Sequence, residues 1–223
     1  MASHLDLEEQ EQLAELKHFW QRWGNLITWI VIAVLAAYAG WTGWQAWSQR
    51  QAAQAAVLYD TVERAAALGD TALLDRAASD IEDKFAATTY AQQSALLAAR
   101  VFYEKGQADG ARKHLQWVID RHQDDAFAAL ARLRLSAILI DQKALDDARN
   151  VLAAKVPADF EPLVSDRLGD IDMLQDKLQD AVTHYQKAWG GMQANNEYRR
   201  LVAVKLAALG KDPEELPSAE KKP

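Results

Sequence analysis

Three stretches of the chain repeat one pattern of small and large residues. They read GQADGARKHL from Gly106, KALDDARNVL from Lys143 and DKLQDAVTHY from Asp176. In each, an alanine comes five residues after the first residue quoted, and a large apolar residue follows the alanine by four. LLDRAASDI, near residue 77, extends the series, so the alanines recur at intervals of 34, 37 and 33 residues. These alanines are Ala77, Ala111, Ala148 and Ala181.

A second small residue lies twelve positions before each of the last three alanines. The residues at this position are Ala99, Ser136 and Gly169. A small residue there lets a paired helix approach closely, and the bulky residue fills the space beside it. The pattern therefore predicts helix–turn–helix units that stack on one another.

The rest of the sequence favours an all-α fold. Only 10 Gly and 5 Pro occur in 223 residues, and no stretch alternates apolar and polar residues for long enough to predict a strand. Thr88 and Asp124 are suited to helix N-termini, and Pro162 to the first turn of a helix. The predicted helices are 51–68, 71–85, 90–105, 108–122, 126–142, 145–155, 162–176, 178–189 and 195–209.

An uncharged run precedes these helices. From Trp23 to Gln49 there is no Asp, Glu, Lys or Arg, and the apolar part, 26–47, reads LITWIVIAVLAAYAGWTGWQAW. As a helix these 22 residues span about 33 Å, enough to cross a hydrocarbon core of about 30 Å. Tryptophans, which favour the membrane interface, lie at both ends. They are Trp20, Trp23, Trp41, Trp44 and Trp47.

Two other interpretations of this run are a buried hairpin helix and a cleaved signal peptide with a site at Ala37-Tyr38-Ala39. A long acidic segment before the run, and its continuation to Trp47, favour an uncleaved signal anchor instead. The numbers of basic residues before and after the uncharged run are nearly equal, so they do not decide the orientation. The predicted orientation rests instead on the layout, a short N-terminal segment followed by a long C-terminal domain. We expect a cytoplasmic acidic tail over 1–25, the anchor over 26–47, an exported domain over 48–210 and a disordered charged tail over 211–223.

Composition and motifs argue against several kinds of chemistry. The net charge of −7 disfavours nucleic-acid binding, and the absence of cysteine excludes disulfides and thiolate metal sites. No phosphate loop, dinucleotide fingerprint, HExxH or GxSxG motif is present. We expect the five histidines to lie at the surface. The sequence predicts a protein that is not an enzyme and has no cofactor or metal.

The period near 34 residues resembles the tetratricopeptide repeat, which implies a right-handed solenoid of degenerate helix pairs after the single membrane helix. The match is partial, because the early tryptophan, the tyrosine of the first helix and the terminal proline are absent, and Asp172 stands where an apolar residue is expected. A non-repetitive helical array is the alternative.

The whole layout resembles the ancillary SecYEG translocon subunit family, the YfgM-like proteins of the Gram-negative inner membrane. The resemblance covers about 13–210 and is carried by LAELKHFWQRWGN from Leu13, by AGWTGWQAW at the end of the anchor and by LGDIDMLQDKLQDAVTHYQKA from Leu168. It implies a periplasmic repeat domain that associates with SecYEG and with a membrane-anchored periplasmic prolyl-isomerase-like chaperone. It also implies that emerging, unfolded exported proteins pass from the translocon to periplasmic chaperones.

Two classes of function remain: an interaction protein of the translocon, and a structural tether in another envelope complex, such as outer-membrane assembly or cell division. In either class a helical-repeat stack offers a surface for peptides or partner helices. Mapping the repeat pattern onto that surface selects Gln93, Arg100, Tyr103, Glu104, Asp166, Asp170 and Met173.

Overall fold

The computed structural model describes residues 7–121 and 124–212, with side chains described from Leu13 onward. Within these ranges the chain forms nine α-helices and one 3-10 turn, with no strand. Of the predicted charged tail over 211–223, all but Lys211 and Asp212 lie outside the described residues. The helices are α1 (Leu7–Leu68), α2 (Thr71–Lys84), α3 (Thr89–Glu104), α4 (Ala108–Arg121), α5 (Asp125–Asp141), α6 (Leu145–Leu152), α7 (Glu161–Leu174), α8 (Leu178–Gly191) and α9 (Glu197–Ala208), with the 3-10 turn at Ala158–Phe160.

The first helix corrects the predicted start of a helix at residue 51. The sequence predicts a separate helix over 51–68, whereas those residues are the last part of α1, one helix of 62 residues. No proline occurs before Pro157, so the backbone hydrogen bonds of a helix can continue through this segment. The chain divides into two compact units between Ala53 and Gln54, and α1 contributes to both.

The first unit is the N-terminal part of α1. Its apolar side chains are exposed, and the five interface tryptophans predicted from the sequence are all among the exposed residues. Among the described residues, one helix is long and apolar enough to cross a membrane, and none of its apolar window is buried. An exposed, uncharged surface of this length fits a lipid environment.

The second unit consists of helices that pack in sequential pairs. α3 packs on α4, α5 on α6 and α7 on α8, and α9 packs on α8. The main core runs from Val62 of α1 to Ile171 of α7, and a smaller cluster joins α8 to α9 around Tyr185 and Leu206. The last turns of α1 thus belong to the repeat core.

The turns between paired helices share one geometry. The residue that closes the first helix of each pair has positive φ: Gly69, Gly106, Lys143, Asp176 and, after α9, Gly210. After each, the next amide donates to a carbonyl five residues back, as in Gln107 to Phe102 at 2.8 Å and Lys177 to Asp172 at 2.9 Å. This is a helix-ending motif in which the left-handed residue reverses the chain. Its recurrence is structural evidence for the repeat.

The seven packing positions predicted from the repeat all lie in the interior. Ala77 is 8% exposed, the other alanines and Ser136 are 2% exposed or less, and Gly169 is also buried. Gly169 lies against the ring of Tyr185, where a Cβ atom would come within 2.5 Å of Cε1. The two helices of this pair therefore make a close contact at a position that has no side chain.

Candidate interaction surface

Two helices of the second unit carry the predicted partner-binding residues. Gln93, Arg100, Tyr103 and Glu104 lie on α3 and are all exposed. Arg100 Nε donates to Glu104 at 2.7 Å, one turn along the helix, and this exposed pair contributes little to stability. Tyr103 donates its hydroxyl to the Asp141 carboxylate of α5 at 2.5 Å. That hydrogen bond, more than burial, raises the pKa of Tyr103 above its ordinary value.

The other three predicted residues lie on α7, and the structure corrects one of them. Asp166 is 1% exposed, so it belongs to the interior rather than to a surface. Asp170 and Met173 are half-buried. The repeat pattern places all three on one face of α7, but it could not show that α9 covers part of that face.

Helix α9 supplies the groups that cover the α7 carboxylates. Lys205 Nζ lies 2.8 Å from Asp166 Oδ1 and 2.6 Å from Asp170 Oδ1, and the Tyr198 hydroxyl donates to Asp166 at 2.7 Å. Tyr185 donates to Asp170 at 2.8 Å. Burial, reinforced by these hydrogen bonds to carboxylates, raises the pKa of both tyrosines well above the ordinary value. The cluster therefore satisfies its charges within the chain.

Two histidines join similar buried clusters. His114 is fully buried, with Nδ1 2.6 Å from Glu82 Oε1 and Nε2 3.1 Å from Asp75 Oδ1. The expectation that it lies at the surface is wrong. Burial raises the pKa of Asp75, but hydrogen bonds and charge from Lys113 and His114 outweigh burial and hold it below its ordinary value.

The second cluster centres on Asp172, which is 1% exposed. Arg149 donates to its Oδ1 at 2.6 Å, and Nδ1 of the half-buried His184 lies 2.6 Å from its Oδ2. His18 is exposed as expected, while His4 and His122 lie outside the described residues. The sequence held a signal for this cluster, since an aspartate at an apolar repeat position needs charged partners when buried.

A shallow groove opens between α3 and α5. Its volume is about 250 Å³, and most of its lining is apolar. The lining residues are Ala99, Arg100, Tyr103, Leu115, Arg134, Ala137 and Ile138. Two of the predicted surface residues, Arg100 and Tyr103, thus stand at the rim of an apolar depression.

In the described part of the chain, no group of three or more His, Cys, Asp or Glu side chains is arranged so that it could hold a metal ion. Asp124 has a structural role, since its carboxylate accepts from the Ala126 and Phe127 amides at the start of α5. The features of the second unit are those of a binding surface on a helical-repeat scaffold.

The fold and surface define a tetratricopeptide-repeat-like protein with an N-terminal apolar helix. A family model described as "Tetratricopeptide repeat-like domain" matches residues 17–211. An "Ancillary SecYEG translocon subunit" of Neisseria gonorrhoeae is 35% identical over 210 residues, covering 94% of this chain and 100% of the relative. A protein of the same description from Haemophilus influenzae is 25% identical over 196 residues, covering 87% and 96% respectively. The chain belongs to the ancillary SecYEG translocon subunit family.

Proposed function

We propose that this protein is a non-catalytic accessory subunit of the SecYEG translocon, anchored in the inner membrane by the apolar part of α1. The observation that carries the proposal is the similarity to the Neisseria protein, which extends over that relative's whole length. The similarity therefore includes the membrane helix as well as the repeat units. A partner that sits in the membrane fits a domain joined to a spanning helix.

The proposed topology places the N-terminus in the cytoplasm and the repeat domain in the periplasm. A single span with a short segment before it and a large domain after it is typical of a signal anchor. In this position the domain meets exported chains as they leave the translocon. Its task would be to bind them, or the membrane-anchored prolyl-isomerase-like chaperone that receives them, without chemical turnover.

The exposed face of α3 supports binding as the mode of action. Gln93 and Tyr103 are accessible on a rigid helix, beside a mainly apolar groove. Unfolded chains expose apolar side chains, and such a groove removes them from water. Binding to these clients should be weak, since an unfolded chain loses conformational freedom when it is held.

The test is site-specific photo-crosslinking in intact cells, with the crosslinker placed at Gln93 or Tyr103. Lys187, exposed on α8, serves as the control position. Crosslinks from α3 to SecYEG, to a periplasmic chaperone or to an exported client support the proposal. Crosslinks only to outer-membrane assembly or division proteins would refute it and favour the tether.

Topology is tested separately with protease added to spheroplasts. Digestion of the repeat domain, with survival of a short N-terminal fragment, is the expected result. A protected repeat domain would place it in the cytoplasm, and a role in receiving exported chains would then be excluded.

A further inference from the structure

Two arginines occupy the same position in successive repeats but have different neighbours. Arg134 and Arg167 each lie two residues before the small packing residue, Ser136 in one repeat and Gly169 in the next. Arg167 Nη1 lies 3.6 Å from the carboxylate of Asp170, three residues further along α7. The residue three after Arg134 is an alanine, so the earlier repeat has an arginine without the corresponding acid.

The guanidinium of Arg134 is half-buried, and among the described residues it donates to a neutral group. Nη1 donates to the Leu96 carbonyl at 3.1 Å. The nearby carboxylates are already engaged: Glu104 pairs with Arg100, and Asp141 accepts from Tyr103. Among the described residues, no carboxylate forms an ion pair with Arg134.

This environment disfavours an uncompensated cation. Burial, and then the positive charge of Arg100, lower the pKa of Arg134 below its ordinary value. A charge removed from water without a counter-ion is costly, and an anion that arrives beside it recovers part of that cost. The site is therefore prepared for a carboxylate that the described residues do not supply.

The groove beside Arg134 requires that the ligand also carry an apolar group. Leu115, Ile138 and Ala99 form its floor and are each almost wholly buried. Ala137 keeps it open at the position where the next repeat carries Asp170. A ligand that fills this space needs a large apolar side chain, with its acidic group a short distance away along the chain.

We propose that the groove between α3 and α5 binds a segment of a partner protein that carries a large apolar side chain next to a carboxylate. The apolar side chain enters the groove and the carboxylate pairs with Arg134. This inference rests on the proposed function, in that it specifies what the repeat domain binds at that surface.

The flanking charges argue for a single carboxylate rather than a polyanion. Glu104 and Asp141 stand near the groove, and the chain as a whole carries a net charge of −7. A nucleic acid or polyphosphate would be repelled by these groups, because its charges extend beyond the guanidinium of Arg134. A peptide with one acidic residue avoids this repulsion.

The experiment measures peptide binding to the full chain in lipid nanodiscs by fluorescence anisotropy. The probes are dye-labelled Gly-Ser peptides that differ at a central pair, which is Leu-Glu, Leu-Gln, Leu-Lys or Ser-Glu. The Leu-Glu peptide should bind about tenfold more tightly than the Leu-Lys peptide, which lacks the carboxylate for Arg134. It should also bind about tenfold more tightly than the Ser-Glu peptide, which lacks the apolar side chain for the groove. Equal binding of the Leu-Glu and Leu-Lys peptides would overturn the inference.

The decisive variant is Ala137→Asp. It places an aspartate three residues after Arg134, as Asp170 lies three residues after Arg167. It should neutralise Arg134 and narrow the groove, so that Leu-Glu binding weakens about tenfold or more and Leu-Gln binding weakens less. Ala72→Asp, at an exposed position of α2, changes the net charge equally and should have no effect. Arg134→Gln is a second variant, since its amide can still donate to the Leu96 carbonyl. If both Ala137→Asp and Arg134→Gln bind the Leu-Glu peptide like the wild type, the inference is wrong.

The two proposals fail in different ways. If the α3 crosslinks reach SecYEG or a chaperone while the peptides show no selectivity, the ligand assignment is wrong and the proposed function stands. If the peptides are discriminated as expected but no translocon, chaperone or exported client is crosslinked, the groove chemistry stands and the proposed function fails.

Discussion

Replacing Gly169 with alanine tests the repeat packing at a close contact between α7 and α8. The added Cβ would lie 2.5 Å from Cε1, 2.7 Å from Cδ1 and 3.0 Å from Cζ of Tyr185. The ring cannot swing away easily, because Tyr185 is 3% exposed and its hydroxyl is bonded to Asp170. Helix α7 or α8 must therefore shift.

Two opposing effects determine how much Gly169→Ala changes the free energy of unfolding. An alanine inside a helix is favoured over glycine by about 1 kcal/mol, whereas overpacking a core costs about 1–3 kcal/mol. Because several ring atoms are contacted, we expect a cost near the upper end and a net loss of about 2 kcal/mol. The matched control is Gly190→Ala in α8, where a Cβ meets no atom within 4 Å. That variant should be as stable as the wild type or gain up to about 1 kcal/mol.

The assay is urea unfolding followed by helical circular dichroism, in which the membrane helix contributes a steady baseline. The same substitution in Tyr185→Leu protein makes the test sharper. Leucine suits this position, because Leu115 and Leu152 occupy the equivalent position in other repeats. In Tyr185→Leu protein, Gly169→Ala should lose most of its cost, a coupling of about 2 kcal/mol. If Gly169→Ala is as stable as Gly190→Ala, or its cost is the same in both backgrounds, the close contact does not limit the packing.

Other predictions address the turns, a buried tyrosine and the start of the folded domain. Lys143→Gly should stabilise the chain by about 0.5–1 kcal/mol, measured in the same urea assay, because a lysine at positive φ is strained and glycine is not. The pKa of Tyr198 is raised by burial and by its hydrogen bond to Asp166, so its contribution to stability is complete below the ordinary tyrosine pKa of about 10 and declines as pH rises above it. Tyr198→Phe should flatten that alkaline decline, and an unchanged pH profile would contradict the assignment. A fragment that starts at Gln54 should unfold cooperatively and one that starts at Thr71 should not, because the second lacks core residues from α1.

The repeat could be predicted from the sequence because its determinants are local and periodic. Small residues at Ala111, Ala148 and Ala181 recur at nearly constant spacing, and close helix packing requires small residues at such positions. The predicted helix ends were within a few residues for most of the repeat domain. The helix ends at Lys143 and Asp176 are harder to predict from the sequence. Both residues have the left-handed conformation that glycine usually adopts at the end of a helix.

The continuity of α1 and the buried ion pairs were not predicted, for different reasons. A change from apolar to polar composition after Trp47 suggests a boundary, but it contains no residue that ends a helix. Burial of His114 depends on carboxylates that are more than thirty residues away in the sequence. Such a pairing appears only when α2 and α4 are brought together, so composition alone favours the surface.

The C-terminal helix explains why the two ends of the predicted partner surface differ. Asp166 and Asp170 of α7 are neutralised by Lys205 of α9, and that face is consequently covered. Two helices earlier, Arg134 of α5 faces α3 without a carboxylate of its own among the described residues. The same repeat geometry is thus closed where α9 supplies a counter-charge and open between α3 and α5, where no described helix supplies one. A partner segment that binds there would provide a carboxylate to Arg134, as α9 provides a lysine to the carboxylates of α7.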